Sequence, residues 1–102
     1  MKLYIYSLRD KKLGAYDGPK YITEDPEHYA EGVARSLKRV DDPQVYAKAR
    51  DMSLYYMGQF DDVSGAFELI APEKLIDYED YLPSKEEVIS YVTKQSEAEV
   101  RS

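Results

Sequence analysis

The chain has 102 residues, of which 43% are hydrophobic, so its length and composition fit one globular domain with its own core. It contains no cysteine, which excludes disulfide bonds, thiolate metal sites and cysteine nucleophiles and favours a reducing compartment. No apolar run approaches the roughly 18 residues that span a bilayer, and the apolar N-terminal run is too short for a secretion signal. We therefore expect a soluble, cytoplasmic protein that makes no membrane contact.

The net charge is −6, and it is unevenly distributed along the chain. Residues 1–60 carry ten basic and nine acidic side chains, whereas residues 61–102 carry four basic and eleven acidic ones. An acidic protein is repelled by nucleic acid overall, so any contact of that kind needs a local basic patch. The N-terminal half is the candidate for such a patch. The alternative is a solvated surface with an acidic tail that serves solubility.

The N-terminal residues predict β-structure. Residues 1–8 alternate with apolar or aromatic side chains on both faces, which is typical of a strand that is central in its sheet or covered twice. Tyr4 and Tyr6 share one of these faces. A polar turn follows, and residues 13–22 predict short strand pieces. These pieces are interrupted at 17–19 (Asp-Gly-Pro), since a central strand does not tolerate this proline.

Two aspartate–proline pairs predict helix starts. Asp25 can cap free N–H groups, and Pro26 at the first helical position loses no needed donor. Apolar side chains then recur at helical spacing, which predicts an amphipathic helix over 26–39, packed on one face of the sheet. Asp42 and Pro43 repeat the signal and predict a shorter helix over 43–50.

The C-terminal half predicts a hairpin and one more helix. Strands at 53–60 and 66–70 flank a short loop, and Ala71-Pro72 ends the second strand. A capping-box pattern from Ser84 to Glu87 predicts a helix over 85–95, followed by polar residues. The predicted fold class is α+β, with a small, mostly antiparallel sheet. Residues 1–82 form the single domain, and 83–102 form the C-terminal helix and acidic tail.

The sequence contains no pattern typical of catalysis. The lone histidine, His28, has no second imidazole or thiolate with which to hold zinc, and no serine lies in a nucleophile-elbow context. The five glycines are scattered, so there is no phosphate-binding loop. We expect no enzyme activity, no metal site and no cofactor.

Tyrosine is unusually frequent, with eleven tyrosines, two phenylalanines and no tryptophan. Tyrosine stacks well and is enriched at binding surfaces. If Tyr4, Tyr6 and Tyr55 share an open sheet face beside N-terminal cations, they form a stacking platform for single-stranded nucleic acid. The alternative is that the tyrosines pack a second layer or a dimer interface. The candidate nucleic-acid-binding residues are Lys2, Tyr4, Tyr6, Arg9, Lys11, Lys12, Lys20 and Tyr55.

The segment 54–65, Leu-Tyr-Tyr-Met-Gly-Gln-Phe-Asp-Asp-Val-Ser-Gly, resembles a motif of a small nonstructural protein family. That family belongs to gokushovirus-type microviruses, which are phages with circular single-stranded DNA. The opening residues, the Gly18-Pro19 element, the helix around 34–36 and the Pro-Glu-Lys-Leu stretch at 72–75 are also similar. The resemblance spans residues 1–82, although 41–52 reads as a helix where the family has a looser loop, and 83–102 has no counterpart.

The resemblance implies a non-virion protein that binds DNA during the switch from duplex replication to single-strand synthesis and packaging. It supplies no catalytic residues. We therefore expect a protein of the host cytoplasm that binds single-stranded DNA, as a homodimer that doubles the basic patch. The alternative is an acidic interaction or assembly module that contacts a viral or host protein and binds no nucleic acid.

Overall fold

The sheet dominates the architecture of the domain. A computed structural model describes residues 1–84 and Glu86. Within them, five antiparallel strands form one sheet with β1 at its centre. One edge of β1 pairs with β4, which in turn pairs with β5, and the other edge pairs with both β2 and β3. The strands are β1 (Lys2–Asp10), β2 (Ala15–Tyr16), β3 (Lys20–Ile22), β4 (Met52–Asp61) and β5 (Phe67–Asp77).

Two α-helices and one short 3₁₀ helix accompany the sheet. Between β3 and β4 lie α1 (Pro26–Leu37) and α2 (Pro43–Ala49), and the 3₁₀ helix Tyr78–Asp80 follows β5. The predicted α+β class with a mostly antiparallel sheet is therefore confirmed. Within the described part of the chain, no helix is both long and apolar enough to cross a membrane.

Both helices begin where the aspartate–proline pairs predict. The Asp25 side chain accepts a hydrogen bond of 2.8 Å from the backbone N–H of His28, and Pro26 occupies the first turn. Asp42 accepts a bond of the same length from the Gln44 N–H. The first helix ends at Leu37 instead of 39, because the next residues turn back onto the carbonyls of the last turn.

The last strand is longer than predicted. The sequence predicted a strand over 66–70 that Ala71-Pro72 would end, but β5 continues to Asp77. Its pairing with β4 jumps from Leu69 to Glu73 across an irregularity, so Ala71 and Pro72 lie in a bulge, outside the ladder. A proline is tolerated there because no backbone N–H is needed for a hydrogen bond of the ladder at this position. The predicted helix over 85–95 and the acidic tail beyond it lie outside the described residues, apart from Glu86.

A bulge also interrupts β4. Ile5 lies opposite Gly58, whereas Tyr6 lies opposite Tyr56, so Met57 has no partner on β1. The register with β5 shifts at the same place. Gly58 has φ +131, a region that L side chains avoid, and a Cβ there would overlap the Glu68 carbonyl oxygen. Only glycine lets β4 pass this close to β5.

The register assigns each side chain to one of two faces, since directly paired residues point to the same side. The helix-side face carries Tyr4, Tyr6 and Leu8 with their partners Gln59, Tyr56 and Leu54. The open face carries Leu3, Ile5, Ser7 and Arg9 with their partners Phe60, Gly58, Tyr55 and Ser53.

The core lies on the helix-side face, around Tyr6. The Tyr6 ring is 1% exposed and stacks on Tyr29 of α1, with ring centroids 4.4 Å apart. Its hydroxyl donates a 2.7 Å hydrogen bond to the Glu24 carbonyl, just before the helix. Burial raises the pKa of Tyr6 above that of a free tyrosine. Tyr6 is thus a structural anchor that ties β1 to the start of α1.

Candidate functional site

The open face carries the exposed aromatic residues of the sheet. Near the C-terminal end of β1, the Tyr16 ring meets Tyr55 edge-on, with centroids 5.3 Å apart. The Arg9 guanidinium lies 5.8 Å from the centre of the Tyr16 ring, within cation–π range. Tyr16 itself is 42% exposed, so part of its surface remains accessible to a ligand. We call Arg9, Tyr16, Tyr55 and Lys74 the basic–aromatic cluster.

The hairpin register builds this cluster. Tyr16 lies opposite Arg9 in the β1–β2 ladder, and the turn between the two strands folds back on Asp10. On the other side of β1, Tyr55 is paired with Lys74 of β5. Four different strands therefore supply the four residues, which places rings and cations side by side on the open face.

Acidic residues partly neutralise the cations of the cluster. Asp77 accepts hydrogen bonds from the Ser53 hydroxyl and from Lys74, the latter at 3.0 Å. The Lys11 ammonium lies 3.8 Å from the same carboxylate and 3.4 Å from Glu79. The hydrogen bond from Ser53, followed by that from Lys74, lowers the pKa of Asp77. The hydrogen bond to Asp77 raises the pKa of Lys74. An anionic ligand therefore has to compete with Asp77 for two lysines.

The predicted site residues do not converge as a set. Tyr4, Tyr6 and Tyr55 do not share an open face, because Tyr6 is buried and Tyr55 lies on the opposite side of the sheet, so the stacking platform of these three rings does not form. Tyr4 is half-buried beside Tyr56, 6.4 Å between ring centroids. The structure does bring together Arg9 and Tyr55, with Lys11 linked to them through Asp77.

The remaining predicted cations lie elsewhere. Lys2 pairs with Asp61 at the opposite end of β1. Lys20 is opposite Tyr6, which places it on the helix-side face. Lys12 is exposed in the turn that follows β1. These three lysines therefore do not extend the cluster across the open face.

Sequence reasoning missed Tyr16 and Lys74 as site residues. Reading residues 9–16 as a tight hairpin would have placed Tyr16 opposite Arg9, so that signal was present. Lys74 lies in the part of β5 beyond the proline, which the sequence did not assign to the sheet. The position of Lys74 on the open face depends on the bulge in β5, which the residues around Lys74 do not predict.

The described residues contain no cluster of three or more histidine or acidic side chains arranged to hold a metal ion. The one histidine is exposed and pairs with its own helix cap, its Nδ1 lying 2.8 Å from Asp25. The hydrogen bond to Asp25 raises the pKa of His28, and the hydrogen bond from the His28 backbone N–H, followed by that from its ring, lowers the pKa of Asp25. The pair therefore lies at the start of α1, where Asp25 is the N-cap.

A family model described as Phage ORF5 protein matches residues 3–81. The chain belongs to this family. The match runs from β1 to the end of the 3₁₀ helix, so it includes both faces of the sheet and the whole basic–aromatic cluster. The predicted membership of a phage protein family is thereby confirmed, and the gokushovirus-type microvirus assignment stays a prediction.

Comparison of the chain with curated proteins and with solved structures gave no match.

Proposed function

We propose that this phage protein is a nonstructural protein that binds single-stranded DNA through the basic–aromatic cluster, without catalysing a reaction. It would act in the host cytoplasm, during genome replication or the switch to single-strand synthesis and packaging. The observation that carries the proposal is the exposed Tyr16 ring between Tyr55 and the Arg9 guanidinium. Unpaired bases stack on such rings, and a neighbouring guanidinium contacts phosphate.

The charges define what kind of binding to expect. Arg9 has no carboxylate among its described ion-pair partners, whereas Lys11 and Lys74 share Asp77. If the protein neutralises two or three phosphates of a single strand, a plot of the logarithm of the binding constant against the logarithm of the salt concentration should have a slope of about −1.5 to −2. The protein is acidic overall, so we expect weak to moderate binding, in the micromolar range or weaker, that is strongest at low salt.

Fluorescence anisotropy with a labelled oligothymidine of about 20 nucleotides tests this proposal directly. Tyr16→Ala should weaken binding about 5- to 150-fold, the range that corresponds to losing one stacked base. Arg9→Gln should weaken it several-fold and make the salt slope shallower. Arg35→Gln, an exposed change on α1, is the matched control and should leave the affinity unchanged. Absence of binding by the wild type at 20 mM salt would refute the proposal, because the phosphate contribution is greatest there.

Asp77→Asn provides a second, opposite test. The amide keeps an oxygen that can accept the Ser53 hydroxyl, but it no longer neutralises Lys11 and Lys74. We expect binding to become several-fold tighter and the salt slope to become steeper. A structural defect would weaken binding instead, so the direction of the change separates the two explanations.

A second candidate function is an interaction module that contacts a viral or host protein. The carboxylates that pair with Lys11 and Lys74 favour it, together with the acidic residues 61–102. Pull-down from infected cells with the wild type and with Tyr16→Ala discriminates between the two functions. A phage or host protein retained equally by both chains, combined with no DNA binding by the wild type, would support the interaction module.

A further inference from the structure

The other half of the open face is apolar. A groove of about 390 Å³ is lined by Ile5, Tyr21, Met57, Phe67, Leu69 and Ile70, together with two prolines. Three rings meet along its side, with Phe60 and Phe67 4.6 Å apart and Tyr21 at 5.8 Å from Phe60. We call this surface the apolar groove. It lies at the N-terminal end of β1, whereas the basic–aromatic cluster lies at the C-terminal end.

The groove is exposed in a domain whose core is small. The buried hydrophobic residues of the described chain are Ile5, Tyr6, Leu37 and Leu54. Four large groove residues are between 44% and 69% exposed: Tyr21, Phe67, Leu69 and Ile70. A contiguous apolar patch of this kind is among the largest that monomeric proteins expose to water, and such patches are often interaction sites.

The chemistry of the lining favours a second copy of the same chain. The chain carries a net charge of −6 and one third of its residues are charged, so most surfaces of two copies repel one another. The eight lining residues carry no charge at all. Two identical grooves can therefore meet face to face without burying an unpaired carboxylate, which would cost several kcal/mol.

The available area is consistent with a dimer interface. Taking about 200 Å² for each large side chain, Tyr21, Phe67, Leu69 and Ile70 expose on the order of 400 Å² together. A standard interface buries about 800 Å² per partner, half of it in the apolar centre and the rest in a polar rim. The groove supplies an apolar centre of that size.

We propose that the apolar groove is a homodimer interface, in which two sheets pack through their open faces about a two-fold axis. Sheets that pack in this way lie about 10 Å apart. Contact through the N-terminal end of β1 leaves Tyr16 and Arg9 of each copy outside the interface. The inference goes beyond the proposed DNA binding and does not depend on it.

Sedimentation equilibrium of the full chain between 1 and 200 µM tests the proposal. The wild type should reach twice the chain mass of 11.8 kDa. Leu69→Glu should weaken self-association at least 100-fold, because the two-fold axis would bring two uncompensated carboxylates into an apolar contact. Val63→Glu is the matched control, since Val63 lies at the hairpin tip outside the groove and is 86% exposed. It should dimerise like the wild type.

Salt and a milder variant complete the test. Because the contact is apolar and the copies repel electrostatically, self-association should persist or strengthen between 20 and 500 mM NaCl. Leu69→Ala should fall between the wild type and Leu69→Glu, and circular dichroism checks that each variant is folded. A monomeric wild type at 200 µM would overturn the proposal and leave the groove to a different protein. A dimer that Leu69→Glu retains, or that high salt dissociates, would overturn it as well.

Discussion

Replacing Gly58 by alanine should destabilise the domain more than the same change at any of the other four glycines. Two independent costs act at this position. Its φ of +131 is a conformation that costs a residue with a Cβ about 1–3 kcal/mol. The new Cβ would also overlap the Glu68 carbonyl oxygen and lie 2.9 Å from the Leu69 Cα. These atoms belong to the backbone of β5, so relief requires that the strand moves.

The expected magnitude follows from adding the two costs. Overpacking against a fixed neighbour costs about 1–3 kcal/mol, so the total loss is about 2–6 kcal/mol. A domain of this size has roughly 5–10 kcal/mol of stability in total. We therefore expect Gly58→Ala to be at the margin of folding, with β5 the first strand to separate from the sheet.

Two other glycines provide graded controls. Gly65 has φ +75 with no atom within 4 Å of the added Cβ, so Gly65→Ala should cost only the strain, about 1–2 kcal/mol. Gly18 is equally open and has no positive φ, so Gly18→Ala should change stability by less than about 1 kcal/mol, in the stabilising direction. The series separates steric overlap from backbone strain.

Urea unfolding at one fixed protein concentration, followed by far-UV circular dichroism, measures the series. With a denaturant dependence of about 1–1.5 kcal/mol/M, a loss of 3 kcal/mol lowers the midpoint by about 2–3 M. A Gly58→Ala midpoint within about 1 M of that of Gly65→Ala would refute the reasoning. It would mean that β5 moves away from β4 at little cost.

Three further outcomes follow from the hydrogen bonds and pKa shifts. Tyr6→Phe should lower the free energy of unfolding by about 0.5–1.5 kcal/mol in urea denaturation, since the part-buried hydrogen bond from the Tyr6 hydroxyl to the Glu24 carbonyl is lost. The pKa of His28, measured by NMR, should lie above 6.5, and Asp25→Asn should bring the His28 pKa back towards 6.5. The stability that this exposed pair contributes is present below pH 6.5 and is lost as the pH rises through the raised pKa of folded His28. The pKa of Asp77 is lowered, so the stability that its hydrogen bonds contribute is present above about pH 4 and is lost as the pH falls through the pKa of folded Asp77. Ser53→Ala should raise the pKa of Asp77, measured by NMR.

The sequence predicted the features that depend on neighbouring residues. Both helix starts follow from a capping aspartate and a proline within two residues, and the interruption at 17–19 follows from a proline in a strand pattern. Such signals lie within a few residues of the structure that they determine. Together with the alternation of apolar side chains, they were sufficient for the fold class and for the approximate positions of β1, β2, β3 and β4.

The face assignment of Tyr55 shows what the sequence could not determine. Alternation correctly places Tyr55 and Tyr56 on opposite faces of β4 and places Tyr4 and Tyr6 together on β1. It does not determine which of the two β4 tyrosines joins the β1 pair, because that depends on the register between strands. The structure pairs Tyr6 with Tyr56, so Tyr55 lies on the open face. A slip of one residue would exchange them.

The same register explains why one face of the sheet can carry two different surfaces. On one side of the bulge, β5 approaches β4 closely at Gly58, which is paired with Leu69. Phe67 and Leu69 of β5 and the unpaired Met57 of β4 line the apolar groove there. Beyond the bulge, β4 and β5 resume their pairing at Tyr56 and Glu73, and the next pair, Tyr55 and Lys74, belongs to the basic–aromatic cluster. A second copy on the groove would leave both clusters exposed and double the number of cations that one DNA strand can contact. Loss of dimerisation through Leu69→Glu should therefore weaken DNA binding and make its salt slope shallower. Loss of DNA binding through Tyr16→Ala should leave the mass of the dimer unchanged.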